Sequence, residues 1–205
     1  MNIVEQFKTL KNPVIQILGP CEFDQGLLKS LHSILVDGGL KHYDNPLIQN
    51  KLKIAVGDGD SNTTQYHLDI TYPTNKAFSD LQGSLELISA DCEKIYLLGF
   101  LGERRDHELS NILELSRFCQ ERRNFTVQLE DRIQVLSPGN HTLIIKGSFS
   151  VFALSSNKIS MDGQLKYPLK DEQLTPLSSH GLSNIGSGII NVEVSGSPLL
   201  IYLNY

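Results

Sequence analysis

The sequence predicts an α/β + β protein: an N-terminal open, mostly parallel α/β sheet domain at 1–127, followed by a small β-sandwich, jelly-roll-like domain at 128–205. Two observations predict it. In the first half, short apolar runs alternate with longer stretches of helical period, the pattern of parallel strands covered by helices. After about Gln128 the helical period disappears, and short alternating runs are separated by clusters of Gly, Ser, Asn and Pro.

The strands of the first half are read from VIQIL (Val14 to Leu18), SILV (Ser33 to Val36), LKIAV (Leu52 to Val56), LDITY (Leu68 to Tyr72) and KIYLL (Lys94 to Leu98). Two helices stand out between and after them. One runs from about Ser79 to Ala90, with Leu81, Leu85 and Ile88 at helical spacing and Ser79 or Asp80 as its cap. The other runs from Asp106 to Cys119, with a stripe of Leu109, Ile112, Leu113, Leu115 and Ser116, and an acidic residue at the start where the helix dipole favours an anion. In the second half RIQVL, TLIIKG, FSVFAL, KISMDG, INVEVSG and LLIYL read as strands of an all-β domain.

A chain of 205 residues, 40% hydrophobic and 20% charged, is long enough to bury a core in one or two domains. Its net charge of −5 disfavours attachment to nucleic acid or to anionic membranes and leaves a small molecule as the expected ligand. Cys21, Cys92 and Cys119 are far apart and suggest neither a disulfide framework nor a zinc site. The first dozen residues lack the apolar stretch of a secretory signal and no later run approaches membrane-spanning length, so a cytoplasmic location is expected.

Three clusters follow predicted strands, where an open α/β sheet builds its ligand crevice. Asp37-Gly38-Gly39, after SILV, is by itself also what an ordinary strand-to-loop turn looks like. Gly57-Asp58-Gly59-Asp60-Ser61, after LKIAV, is more telling: two carboxylates so close repel unless a cation, a set of donors or solvent relieves them. Hard oxygen ligands of this kind suit Mg²⁺ shared with substrate phosphates. Gly99 to His107 joins KIYLL to a helix start and carries glycines and arginines, which fits phosphate binding; surface pairing of the arginines with Glu103 or Glu108 is the plainer alternative.

Together DGG, GDGDS, the proline-preceded segment Tyr72-Pro73 to Asp80-Leu81 and GFLGERRDHELSN stand in an order and spacing that resembles the thiamin pyrophosphokinase family. GSFSVF (Gly147 to Phe152), GQLKYPL (Gly163 to Leu169) and GLSN (Gly181 to Asn184) look similar to motifs of that family's second domain, so the resemblance covers roughly residues 14 to 203. It implies an ATP-dependent pyrophosphotransferase that converts thiamin to thiamin diphosphate and releases AMP. By position, Asp58, Asp60 and Asp80 would hold Mg²⁺ and carry catalysis; Asp37, Gly38, Gly102, Arg104, Asp106 and His107 would bind ATP; and Ser183 and Asn184 would meet thiamin, at a homodimer interface.

The sequence departs from the family pattern at Ala77, where the first carboxylate of an Asp-x-[Ser/Thr]-Asp segment is missing, at Gly83, where a lysine is frequent, and at Glu103, where a glycine is usual. Asp69 is a neighbour that could replace the lost carboxylate, and, with no tryptophan in the chain, Tyr167 or a phenylalanine is the available aromatic for stacking on thiamin. These departures sustain a second expectation: a divergent relative that binds thiamin, thiamin diphosphate or a nucleotide without efficient turnover.

Overall fold

The computed structural model describes residues 2–11, 13–102, 104–176 and 178–204. The chain divides into two compact units, Met1–Glu114 and Leu115–Tyr205.

The first unit opens with helix α1 (Ile3–Lys8), started by a capping box in which the Asn2 side chain accepts from Glu5 N–H and the Glu5 carboxylate accepts from Asn2 N–H. Strands β1 (Val14–Leu18), β2 (His32–Val36), β3 (Lys53–Gly57) and β4 (Ile70–Thr71) follow, then α2 (Asp80–Leu85), β5 (Lys94–Leu98) and α3 (Arg105–Gln120), whose residues from Leu115 on belong to the second unit. The five strands form a parallel sheet in the order β5-β1-β2-β3-β4. Their apolar runs are near-continuous, and β1, β2 and β3 are each buried over their last four residues, as expected of parallel strands. Leu18, Leu28, Leu35, Leu40, Ile48, Ala55 and Leu98 make one core cluster of this unit.

Three boundaries differ from the sequence reading, each for a local reason. LDITY yields only a two-residue strand, because Asp69 accepts the Ala55 amide through its side chain (2.8 Å) and so takes a ladder position itself. Helix α2 stops at Leu85 because the bonds Leu87 N–H to Ser84 and Ile88 N–H to Leu85 close tighter i→i+3 turns. Ser79 is its cap, accepting the Gln82 amide at 3.0 Å. In α3 the buried stripe is Ile112, Leu115, Ser116 and Cys119, whereas Leu109 and Leu113 are 59% and 47% exposed.

The second unit carries β6 (Thr126–Leu129), β7 (Ile133–Leu136), β8 (Gly139–Ala153), β9 (Asn157–Leu165), β10 (Leu169–Leu174), β11 (Asn184–Ser195) and β12 (Leu199–Leu203). All pairings among them are antiparallel, in the order β10-β9-β11-β8-β12-β7-β6. Strand β6 begins before the expected domain start at 128 and pairs with β7, which puts the whole strand in this ladder. The long β8 pairs with β11 from Gly139 to Phe149 and with β12 from Phe149 to Ala153. Residues of strands far apart in the ladder, such as Leu174 of β10 and Leu136 of β7, share one apolar cluster, so the ladder encloses its own core. The chain is thus α/β followed by β. No helix among the described residues is long and apolar enough to cross a membrane.

Candidate active site

In the parallel sheet the chain proceeds outward from β1 to β4 and then returns to the other side of β1 with β5. The strand order therefore reverses between β1 and β5, and ligands of open α/β sheets bind outside the carboxyl ends at such a point. A cleft of about 460 Å³ lies there, lined by Pro20 and Cys21 after β1, Asp37 after β2, Asp60 and Ser61 after β3, Ser79 and Asp80 at the start of α2, and Gly99 to Gly102 after β5 with Arg104, His107, Glu108 and Asn111. The floor is tight: a Cβ on Gly19 would lie 2.4 Å from the Gly99 carbonyl oxygen.

Carboxylates gather on one side of the cleft. Asp37, Asp58 and Asp60 each place a carboxylate oxygen within 4.8 Å of the others. Asp37 is buried, at the start of a short 3₁₀ turn (Asp37–His42), and its Oδ1 accepts the Gly59 amide at 2.8 Å. Gly59 sits at φ +84° and Gly57 at φ +152°, and a Cβ on Gly57 would come within 2.0 Å of Asp37 Oδ1. The glycines of GDGDS therefore let the β3 loop wrap against the Asp37 carboxylate. Burial pushes the Asp37 carboxyl up to about 6; the Gly59 hydrogen bond opposes this, and the charges of Asp80 and Asp58 add to it.

Lys76, from the segment between β4 and α2, enters the same cluster. Its ammonium donates to Asp58 Oδ2 at 2.7 Å and lies 3.1 Å from Asp80 Oδ1. The hydrogen bond from Lys76 holds the Asp58 carboxyl below its ordinary value. Burial alone would lower the Lys76 ammonium, but the Asp58 and Asp80 bonds prevail and raise it. Asp60 is exposed and accepts from the Ser61 hydroxyl at 2.8 Å.

On the other side of the cleft stands the glycine loop. Gly102 is at φ +115° with open space around it, so backbone conformation rather than crowding requires glycine there. Its N–H donates to Glu108 Oε1 at 2.5 Å, and Asn111 Nδ2 donates to the Phe100 carbonyl at 3.0 Å, tying the loop to the first turns of α3. Arg104 grips Asp106 with two hydrogen bonds, at 2.5 and 3.2 Å, and that contact holds the Asp106 carboxyl down.

Of the residues singled out in the sequence, Asp37, Asp60, Asp80, Gly102, Arg104 and His107 line the cleft, and Asp58 completes the carboxylate cluster beside it. Gly38 packs under Pro20 and Ser61, where a Cβ would lie 2.9 Å from the Pro20 side chain. Asp69 is engaged with the β3 backbone, and Ala77 is exposed. Gly83 packs against Tyr72, whose ring would lie 2.7 Å from an added Cβ, so no lysine fits there while Tyr72 holds its place. Glu103 lies outside the described residues. In the second unit Asn184 is buried: its Oδ1 accepts from Ile185 N–H (2.8 Å) and Tyr167 N–H (3.2 Å), and its Nδ2 donates to the Tyr167 carbonyl (2.7 Å). Ser183 beside it is exposed, at φ +60°. Sequence reasoning missed Lys76 and the membership of Asp37 in the carboxylate cluster; the i,i+4 spacing of Lys76 and Asp80 was the available signal for the first.

The donor set fits a hard divalent cation: three carboxylates converge, and the buried one, Asp37, is held above its ordinary value first by burial and then by the charges of Asp80 and Asp58, which the Gly59 hydrogen bond does not offset. A parallel sheet with an acidic cluster and a glycine loop at its switch point is the layout in which open α/β sheets hold a ligand. Residues 23–128 match the family described as thiamin pyrophosphokinase, catalytic domain, and the chain belongs to that family. Solved structures agree in fold. A thiamine pyrophosphokinase from Bacillus subtilis superposes with a TM-score of 0.69 at 21% identity, over 94% of this chain and 100% of the other. One from Geobacillus thermodenitrificans gives 0.69 at 21%, over 94% and 98%. The enzyme of Candida albicans gives 0.72 at 16%, over 98% and 90%. No curated protein sequence matches.

Proposed function

We propose that the chain is a thiamin diphosphokinase, which transfers the pyrophosphoryl group of ATP to the hydroxyl of thiamin and releases AMP. The observation that carries this reading is the convergence of Asp37, Asp58 and Asp60 across the cleft from the Gly102 loop. Asp58 and Asp60, joined by Asp37, would hold Mg²⁺. That ion supplies neutralisation of the phosphate charge in a site whose own lining is acidic. Gly102 N–H, Arg104 and His107, at the cleft, would bind and orient the nucleotide, with Asp106, which holds Arg104, and Asn111, which holds the Phe100 carbonyl, positioning the loop. A bond forms between the thiamin hydroxyl oxygen and the β-phosphorus, the hydroxyl proton passing to water, as the bond to the α,β-bridging oxygen breaks and AMP leaves with that oxygen. Such a transfer rests on positioning and electrostatics and needs no nucleophilic side chain.

In the second unit, exposed Ser183 is the residue proposed to meet thiamin, with Asn184 shaping the turn at Tyr167. A homodimer is proposed through the outer face of β8 and β11, where the paired Ile144 and Ile189 are 67% and 57% exposed. The second reading, binding without efficient turnover, draws on Ala77, which leaves no carboxylate at that position of the segment.

Purified protein given ATP, Mg²⁺ and thiamin is expected to form AMP and thiamin diphosphate in equal amounts, and Asp60→Asn to lose that turnover while staying folded. Binding of ATP or thiamin with no turnover by the unmodified chain would establish the second reading instead.

A further inference from the structure

Helix α3 reaches both sides of the cleft with side chains spaced three residues apart. On the glycine-loop side, Glu108 Oε1 accepts the Gly102 N–H at 2.5 Å and Asn111 Nδ2 donates to the Phe100 carbonyl at 3.0 Å. Glu114, the next residue at that spacing, serves the acidic side: its Oε2 accepts the Ser79 hydroxyl at 2.5 Å. Side chains at i and i+3 are neighbours on a helix, so the three contacts come from one continuous strip of α3.

Ser79 caps α2, and its hydroxyl oxygen also accepts the Gln82 amide at 3.0 Å, so one oxygen joins the first turn of α2 to α3. Helix α2 has only six residues, Asp80–Leu85, with a glycine inside it, too few to hold their own geometry. What fixes its start fixes its first residue, Asp80, whose carboxylate lies 3.1 Å from the Lys76 ammonium and hydrogen-bonds with Asp37. Ser79, Asp80 and Gly102 line the cleft; Glu114 stands behind that lining. Among the described residues Glu114 makes no ion pair, and Ser79 is its one side-chain hydrogen-bond partner. A half-buried carboxylate with no cation beside it is disfavoured by its own desolvation, so what Glu114 gives the fold is the placement of Ser79.

We propose that Glu114 is a positioning residue of the cleft: through the Ser79 hydroxyl it fixes the start of α2, so that a single helix, α3, holds the acidic side and the glycine loop at a set separation. This rests on the reading of the cleft as the seat of a metal-bound nucleotide. A ligand that spans the cleft needs both sides at once, and freeing α2 from α3 weakens its binding although Glu114 does not touch it.

The test is calorimetric titration with α,β-methylene ATP, whose α,β bridge the protein cannot break, in the presence of Mn²⁺. Unmodified protein is expected to bind it, Glu114→Ala to bind at least about fivefold more weakly, and Glu114→Gln, which keeps an oxygen to accept the Ser79 hydroxyl, to lose less than about fivefold. Ser79→Gly leaves the cap nearly intact but removes the hydroxyl; it is expected to weaken binding as Glu114→Ala does, and the double variant to weaken it no further. Glu114→Ala less than fivefold weaker than the parent, Glu114→Gln as weak as Glu114→Ala, or losses that add in the double variant would each overturn the role of Glu114 and leave the reading of the cleft standing. No binding by the unmodified protein would overturn that reading, and the role of Glu114 with it. Should Glu114→Ala fail to fold, Glu114→Gln and Ser79→Gly decide by the same margins.

Discussion

A side chain on Gly57 and the carboxylate of Asp37 would occupy the same space: the Cβ position of the one lies 2.0 Å from Oδ1 of the other. Gly57 is also at φ +152°, outside the range that L side chains favour. Gly57→Ala is therefore expected to lower stability by roughly 2 kcal/mol or more and to displace Asp37 from the cluster. Chemical denaturation measures the first effect and loss of Mn²⁺ binding the second. An alanine variant as stable as the parent would show that the loop can move away from Asp37.

The raised Asp37 carboxyl sets a pH dependence. Its ordinary value is 3.8 and burial in the fold takes it to about 6, so the metal-free protein loses stability as pH climbs from about 4 through about 6 and the group is forced to ionise. A bound cation removes that penalty. The rise in Tm on adding Mg²⁺ is expected to be larger at about pH 7.5 than at about pH 5, and the difference to shrink in Asp37→Asn. Equal rises at both values would mean that Asp37 takes no part.

How much of this was legible in the sequence depends on what kind of signal each residue carries. β1, β2, β3 and β5 were plain because a strand buried on both faces is written as an unbroken apolar run. GDGDS was plain because paired carboxylates between glycines are costly without a purpose. Lys76 was hidden: a lone lysine in a loop looks like every solvated lysine, and only the fold brings Asp58 to it. Leu109 and Leu113 misled, because helical spacing shows that residues share a face and not whether that face is covered. Gly83 read as a lost lysine, when its neighbour in space, Tyr72, is the reason no side chain stands there.

Asn184 gives the clearest separation of structural from substrate roles. Its amide makes three hydrogen bonds, to Tyr167 and Ile185, from a buried position. Asn184→Ala is expected to cost roughly 1–3 kcal/mol of unfolding free energy, whereas Ser183→Ala, at an exposed position, changes KM for thiamin with little loss of stability. An unchanged denaturation midpoint for Asn184→Ala would refute the structural assignment.

Ile144 and Ile189 face each other in register on neighbouring strands with their side chains outward. A charged residue at both positions is expected to convert a dimer to a monomer in light scattering without unfolding the protein, since neither side chain enters the core. An unaltered mass would place the interface elsewhere.

The hydrogen bond from Gly102 N–H to Glu108 and the grip of Arg104 on Asp106 mean that the glycine loop already holds anions of its own. A phosphate bound there, as the proposed function requires, would swap places with a carboxylate instead of filling bare donors. Recognition at this loop would then be an exchange of one negative group for another, with selectivity set by how much better a phosphate matches the two donors than the tethered side chains that stand in for it.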